Sequence, residues 1–359
     1  MKRSYAFCSR CLPLLLMALS VLLTRAARAQ NSSEALAINN AGVIVGWSTA
    51  SDGYTHAVQW ASGTNTPAAL PMLSGWTNSV ATAINNASPA LIVGYANNES
   101  GAQHAVAWSS GTMIDLGTLS GGASSQALGV NSSGVVVGWS TNSAGQKHAA
   151  QWANGAVTDL GTYGTDAVSS ATAINEVGEA VGWSGIMETS PVFMGANAVT
   201  WSSGRISVLS ELQIKSGKLA HGQGGDALAI NNNAKPVIVG ADGFWQAGQP
   251  YTYLDYAAVE WTGKTVSAIV NVGWDALYLA TGVNDSGQVV GWDTNYSPPL
   301  SPDPPQGWTL SAGTLTYLPI SEALGISNSG LIVGYSTVST SVNHAVLYTN
   351  GTVTDLGTL

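Results

Sequence analysis

Residues Ala127-Leu128-Gly129-Val130-Asn131-Ser132-Ser133-Gly134-Val135-Val136-Val137-Gly138-Trp139-Ser140 hold two short apolar runs separated by Asn-Ser-Ser-Gly. That spacer fits a type I turn, which favours Asn at its first position and Gly at its fourth. Short runs rich in Val and closed by turn residues read as strands, because a helix needs about ten or more residues at period 3.6. A polar stretch follows, then His148-Ala149-Ala150-Gln151-Trp152, an Ala-Asn-Gly turn, and a fourth segment ending Asp159-Leu160-Gly161. The unit is predicted to be four antiparallel strands.

The same unit recurs along the chain. Aligned on the glycine of its second segment it gives Gly46, Gly94, Gly138, Gly182, Gly240, Gly291 and Gly334, spaced 48, 44, 44, 58, 51 and 43 residues. The turn residue recurs as Asn39, Asn85, Asn131, Asn175, Asn231 and Asn284, with Ser327 in the last copy. Repeats two and five depart from the four-residue turn, with Ser88-Pro89 and Ala234-Lys235 after the Asn. A period near 40–50 residues with four strands per unit predicts a β-propeller. One such sheet cannot bury both faces alone, so it stacks on its neighbours, and closing the ring removes the two exposed ends. The expected fold is therefore all-β: a seven-bladed β-propeller of four antiparallel strands per blade. Its repeats lie near 35–79, 80–124, 125–169, 170–225, 226–278, 279–321 and 322–359.

Residues 1–29 read differently. Lys2, Arg3 and Arg10 precede an apolar run from Cys11 to Leu23, and Ala27-Arg28-Ala29 supplies the small-x-small pattern of a signal-peptidase site. The run falls short of the ~20 residues that span a bilayer. The expectation is a signal peptide cleaved after Ala29, a secreted product in the periplasm or outside the cell, and no membrane insertion of the mature chain. Five of the basic residues lie in this leader, so the mature part keeps 6 against 20 acidic residues, a formal charge of −14. Nucleic acid is excluded as a partner, because phosphate binding needs clustered Lys and Arg. An anionic membrane surface fails for the same reason. Both cysteines, Cys8 and Cys11, lie in the leader. The mature fold is expected to hold by packing and closure, without disulfides.

The repeats resemble the bacterial extracellular family named HAF after its His-Ala-Phe tripeptide. The resemblance covers nearly all of residues 35–359 and rests on His56-Ala57-Val58, His104-Ala105-Val106, His148-Ala149-Ala150 and His344-Ala345-Val346. Asp115-Leu116-Gly117-Thr118-Leu119, Asp159-Leu160-Gly161-Thr162 and Asp355-Leu356-Gly357-Thr358-Leu359 support it. Val or Ala stands where the family name has Phe. The resemblance implies export and a repeat fold, with no established activity.

The repeated polar residues are expected to be structural. His56, His104, His148 and His344 occupy equivalent places in different blades, whereas a metal needs its ligands within about 2 Å of one ion. No metal or cofactor is expected. Trp60, Trp108, Trp152, Trp201 and Trp261 end the third strand and read as packing between blades. No nucleophile elbow, zinc helix or phosphate loop occurs.

The candidate site lies where the repeat is interrupted. In a four-stranded meander the second-to-third connection and the crossing to the next blade share one face. Repeats four, five and six enlarge that second-to-third connection, at 185–197, 241–256 and 293–306, and the crossing from four to five is long. Long loops on a rigid scaffold are where function concentrates. The predicted ligand-binding residues are Trp245, Tyr251, Tyr253 and Tyr296, for stacking, with Asp242, Asp255, Asp293 and His221 as polar partners. The expected function is a non-catalytic binding module for a neutral extracellular polysaccharide or cell-surface polymer. The alternatives are a hydrolase or lyase using Asp242, Asp255, Asp293 and Glu188 on the same loops, or a purely structural or adhesive surface protein.

Overall fold

The computed structural model describes residues 31–186, 196–212, 219–246, 254–263, 265–270, 276–297, 301–302 and 304–359. Among these there is no helix, and the fold is all-β. Five separate four-stranded antiparallel sheets form from contiguous chain, each in the spatial order first, second, third, fourth strand. The fifth and sixth repeats make the same sheet twice over. A single parallel bridge, Tyr256 to Leu277, joins them into one nine-stranded sheet. The first strands of all the repeats line a central cavity of about 290 Å³, which defines a β-propeller.

Every first strand carries one extra residue relative to its partner. The register slips at Leu36, Thr82, Leu128, Thr172, Leu228, Thr281 and Leu324. Such a β-bulge bends a strand and raises its twist. It also explains the aligned glycines. The carbonyl oxygen two residues before each bulge approaches the second strand so closely that a Cβ on Gly138 would lie 1.9 Å from Gln126 O. Gly46 and Glu34 O, and Gly334 and Glu322 O, repeat the contact at 1.9 and 1.8 Å. At Thr82 and Thr281 the bulge hydroxyl donates to the next unit, reaching Ala127 O at 2.8 Å and Ala323 O at 2.6 Å. Among the described residues no charged one lines the cavity.

The turn asparagines do two jobs. Asn131 Oδ1 accepts from Val135 N within its own turn, while its Nδ2 donates to Asn175 O of the next unit. Asn39, Asn85, Asn231 and Asn284 bridge forward in the same way. In repeats two and five, where the turn is longer, the side chain still caps it, accepting from Leu91 N and Val237 N. A second belt runs beside the first and crosses the junction of the chain's ends. Asp285 N donates to Asn328 Oδ1, and Asn328 N donates to Asn40 Oδ1.

The apolar core lies between sheets. Ala35, Ile38, Ile44, Val58 and Trp60 of the first unit pack with Val333, Ala345 and Leu356 of the seventh. Trp60, Trp108, Trp152, Trp201 and Trp261 are buried as expected, and Trp308 adds a sixth. Four of their indoles donate backwards to the end of the preceding unit, Trp60 to Leu356 O at 2.7 Å and Trp261 to Ser210 O at 2.7 Å among them.

Candidate functional site

The enlarged segment of repeat five is largely strand. Its first three strands run Leu219–Ile230, Val237–Gln246 and Leu254–Thr262, against six residues each in the first unit. Trp245, expected in a loop, lies on the second of these, in register with Ala220 and Leu254. Asp255 pairs with Phe244 on the third strand, and His221 lies on the first. Tyr296 lies on Val289–Ser297, opposite Pro302. Tyr251, Tyr253 and Glu188 lie outside the described residues.

Asp242 and Asp293 sit deeper than a loop reading suggests. Each stands two residues after the aligned glycine and is buried. Serines hold that position in units one, three, four and seven, and in the first three the hydroxyl accepts a backbone N–H from the preceding unit: Leu359 N on Ser48, Leu119 N on Ser140, Tyr163 N on Ser184. Asp242 does the same job, accepting from Leu212 N at 2.6 Å. The Oδ1 of both aspartates has no hydrogen-bond partner among the described residues. Burial pushes both carboxyls from 3.8 up to about 6.

A carboxyl whose folded pKa exceeds its unfolded one holds its proton more tightly when folded. The resulting penalty is absent below about 4 and fully present above about 6, so stability falls as pH rises through that window. Asp242→Ser restores the repeat's own solution. The expected outcome is a flatter melting profile between about pH 4 and 7 and a gain of roughly 1–2 kcal/mol at about pH 8. Thermal melts of parent and variant across pH measure it, and parallel profiles would show that Asp242 is not the source.

The histidines pair with the aspartates of the fourth strand. His104, His148 and His344 Nδ1 lie 3.0, 2.8 and 2.8 Å from Asp115, Asp159 and Asp355, and His56 meets Asp52 instead. The second oxygens of these fourth-strand aspartates accept Gly117 N, Gly161 N and Gly357 N. Each pair tethers two strands of one unit. Among the described residues no group of three or more His, Cys, Asp or Glu stands together to hold a metal.

A different constellation appears where the first and second strands begin and end on the loop side. The residue after each aligned glycine is aromatic in six units: Trp47, Tyr95, Trp139, Trp183, Trp292 and Tyr335, all half-buried. Directly opposite on the first strand stand Glu34, Val80, Gln126, Ser170, Leu279 and Glu322. Unit five alone substitutes Ala241, facing Asp226. Polar partners fix the rings: Trp47 Nε1 donates to Glu34 Oε2 at 3.2 Å, and Trp139 Nε1 to Gln126 Oε1 at 3.1 Å. The Tyr335 hydroxyl donates to Glu322 Oε1 at 2.5 Å. Burial raises Glu34, and burial with the nearby Glu34 charge brings Glu322 to about 7. Sequence reading missed this ring. The signal was there, in an aromatic at one fixed place of six repeats.

No family model matches the chain, and no curated protein does. Solved structures do share its fold. A puromycin-hydrolysing peptidase of Mycobacterium tuberculosis aligns with a TM-score of 0.59 at 11% identity, over 92% of this chain and 53% of that one. The β-propeller domain of the Trilobed protease from Pyrococcus furiosus, described as having an open velcro topology, gives 0.51 at 9% identity over 91% and 98%. The acylaminoacyl peptidase of Pyrococcus horikoshii gives 0.52 at 10% identity over 91% and 52%. This chain thus spans about half the length of the two peptidases and nearly all of the isolated propeller. What these likenesses share with it is the β-propeller.

Proposed function

We propose that the chain is exported through its first 29 residues and works as a seven-bladed β-propeller that binds an extracellular glycan on its loop face. The observation that carries this is the set of six half-buried aromatics, one at the same second-strand position in six of the units. Sugar rings have apolar C–H faces that stack on aromatic planes, while adjacent polar groups take up hydroxyls, the usual makeup of a ligand site. To this site we also assign Trp245, Tyr251, Tyr253 and Tyr296, the aromatics of the enlarged segments of repeats five and six. The acidic mature chain favours neutral or basic glycans over polyanions. Export and membership of the HAF-type repeat proteins fit the same reading.

The test is affinity for polysaccharides, measured by calorimetry on residues 30–359. Trp183→Ala and Trp245→Ala should each weaken binding roughly tenfold or more, as truncating an anchoring aromatic does, with an unchanged far-ultraviolet spectrum. Trp152→Ala, in the core, should lose stability instead. A protein with both Trp183 and Trp245 replaced that keeps its polymer affinity would remove the assignment. An enzyme on the same polymer is the second reading, favoured by Glu322, whose carboxyl stands at about 7 beside Glu34, as suits a general acid. Release of reducing ends, abolished in Glu322→Gln, would establish it.

A further inference from the structure

Between units three and four the chain supplies its own occupant for a gap in the aromatic ring. Lys147, the residue before His148, places its ammonium 4.3 Å from the centre of the Trp139 ring and 5.9 Å from that of Trp183. Cations in such positions are held by the negative face of the ring. The first-strand partners there, Gln126 and Ser170, are neutral.

The junction of units seven and one repeats this arrangement with the charges exchanged. Tyr335 and Trp47 take the places of Trp139 and Trp183, and Glu322 and Glu34 replace Gln126 and Ser170. In the place of Lys147 stands Asn343, before His344. Its Nδ2 donates to Glu34 Oε1 at 2.9 Å, while Trp47 holds Oε2. Asn343 of unit seven thus reaches Glu34 of unit one, and the Tyr335 hydroxyl holds Glu322 on the same side of the junction; the Glu34 charge helps raise Glu322 and Tyr335. No lysine or arginine belongs to units six, seven, one or two. After residue 30 the lysines and arginines are Lys147, Arg205, Lys215, Lys218, Lys235 and Lys264, all in units three to five, and the nearby His344 and His56 are paired with Asp355 and Asp52. Two partly buried carboxyls, each hydrogen-bonded to the aromatic of its own unit, thus stand at this junction with no lysine or arginine from their own or the flanking units.

We infer that this junction receives an organic ammonium from the ligand, the free amine of an amino sugar, in the position that Lys147 fills at the junction of units three and four. The inference rests on the glycan reading and narrows it to the basic members of that class. The amine is held by the two carboxylates and faced by Tyr335 and Trp47, while its sugar ring lies along the neighbouring aromatics.

The test compares oligomers of glucosamine with the same oligomers N-acetylated, titrated into the intact chain at about pH 7. The free-amine oligomer should bind roughly tenfold tighter, and its advantage should shrink between about 50 and 500 mM salt. Asn343→Lys supplies the intrachain ammonium of unit three. It should melt no lower than the parent and lose the preference for the free amine. Glu34→Gln with Glu322→Gln should lose the same preference and serves as the arm if Asn343→Lys fails to fold. Equal binding of the two oligomers, or a preference that survives both variants, overturns the ammonium site and leaves glycan binding standing. Binding of neither oligomer overturns the site. If the neutral polysaccharides also fail to bind, the broader reading falls with it.

Discussion

Gly138→Ala is expected to cost about 4 kcal/mol or more, enough to leave little folded protein. The added methyl would sit 1.9 Å from Gln126 O, and it is fixed to a Cα in the same sheet as that backbone oxygen. No rotamer change relieves such a clash. Only straightening the bulge at Leu128 would, and that moves the strand lining the channel. Gly145→Ala is the matched control. It occupies a turn at φ 78 with nothing near its Cβ position, so it should show only the roughly 1–2 kcal/mol cost of a left-handed alanine. Urea melts of the two variants give the comparison. If they differ by less than about 1 kcal/mol, close approach to the first strand is not what keeps glycine at this position.

Removing Ala323 to Leu359 should abolish cooperative folding of the whole chain. The deletion uncovers Ala35, Ile38, Ile44, Val58 and Trp60 on one side, and Val290, Leu318 and Ile320 on the other. It also takes the acceptor of the Trp60 indole and the Asn328 link to Asn40. At about 1.5–3 kcal/mol for each large buried side chain, the loss matches the roughly 5–15 kcal/mol that holds a domain together. An open stack of repeats would lose only its last nearest-neighbour contact and keep its melting midpoint. Differential scanning calorimetry decides between them, and an unchanged midpoint in the truncated chain would count against closure.

The repeat was legible because turn chemistry is local. Asn131 and Gly134 announce their turn, and the strands between turns are short and apolar. The bulge was not legible. One extra residue per first strand shifts the side chains beyond it to the other face, so alternation read from Ala35 misassigns everything after Leu36. Trp47 and its counterparts read as ordinary strand residues, although each stands opposite a first-strand residue just before the bulge. Asp242 and Asp293 read as loop groups in the sequence because the strands of repeats five and six continue past the length of the others. Aligning them with Ser48, two places after the glycine, assigns them to the contact between units. That alignment needs no structure, only the expectation that a carboxylate can replace a hydroxyl as acceptor.

Because each sheet is made from one continuous stretch and the ring closes by packing, the covalent order of the units is separable from their order in space. Asn31 Nδ2 donates to Leu359 O at 2.7 Å and Ser33 Oγ to Gly357 O at 2.8 Å, so the two ends of the propeller already touch. A short linker could join them, and the backbone could be reopened at the exposed Ser120-Gly121 between units two and three, leaving every sheet whole. In that circular permutant Glu34 and Glu322 would come from adjacent stretches of chain instead of opposite ends. A site assembled across the seam would then stand next to a fused junction, with its geometry unaltered.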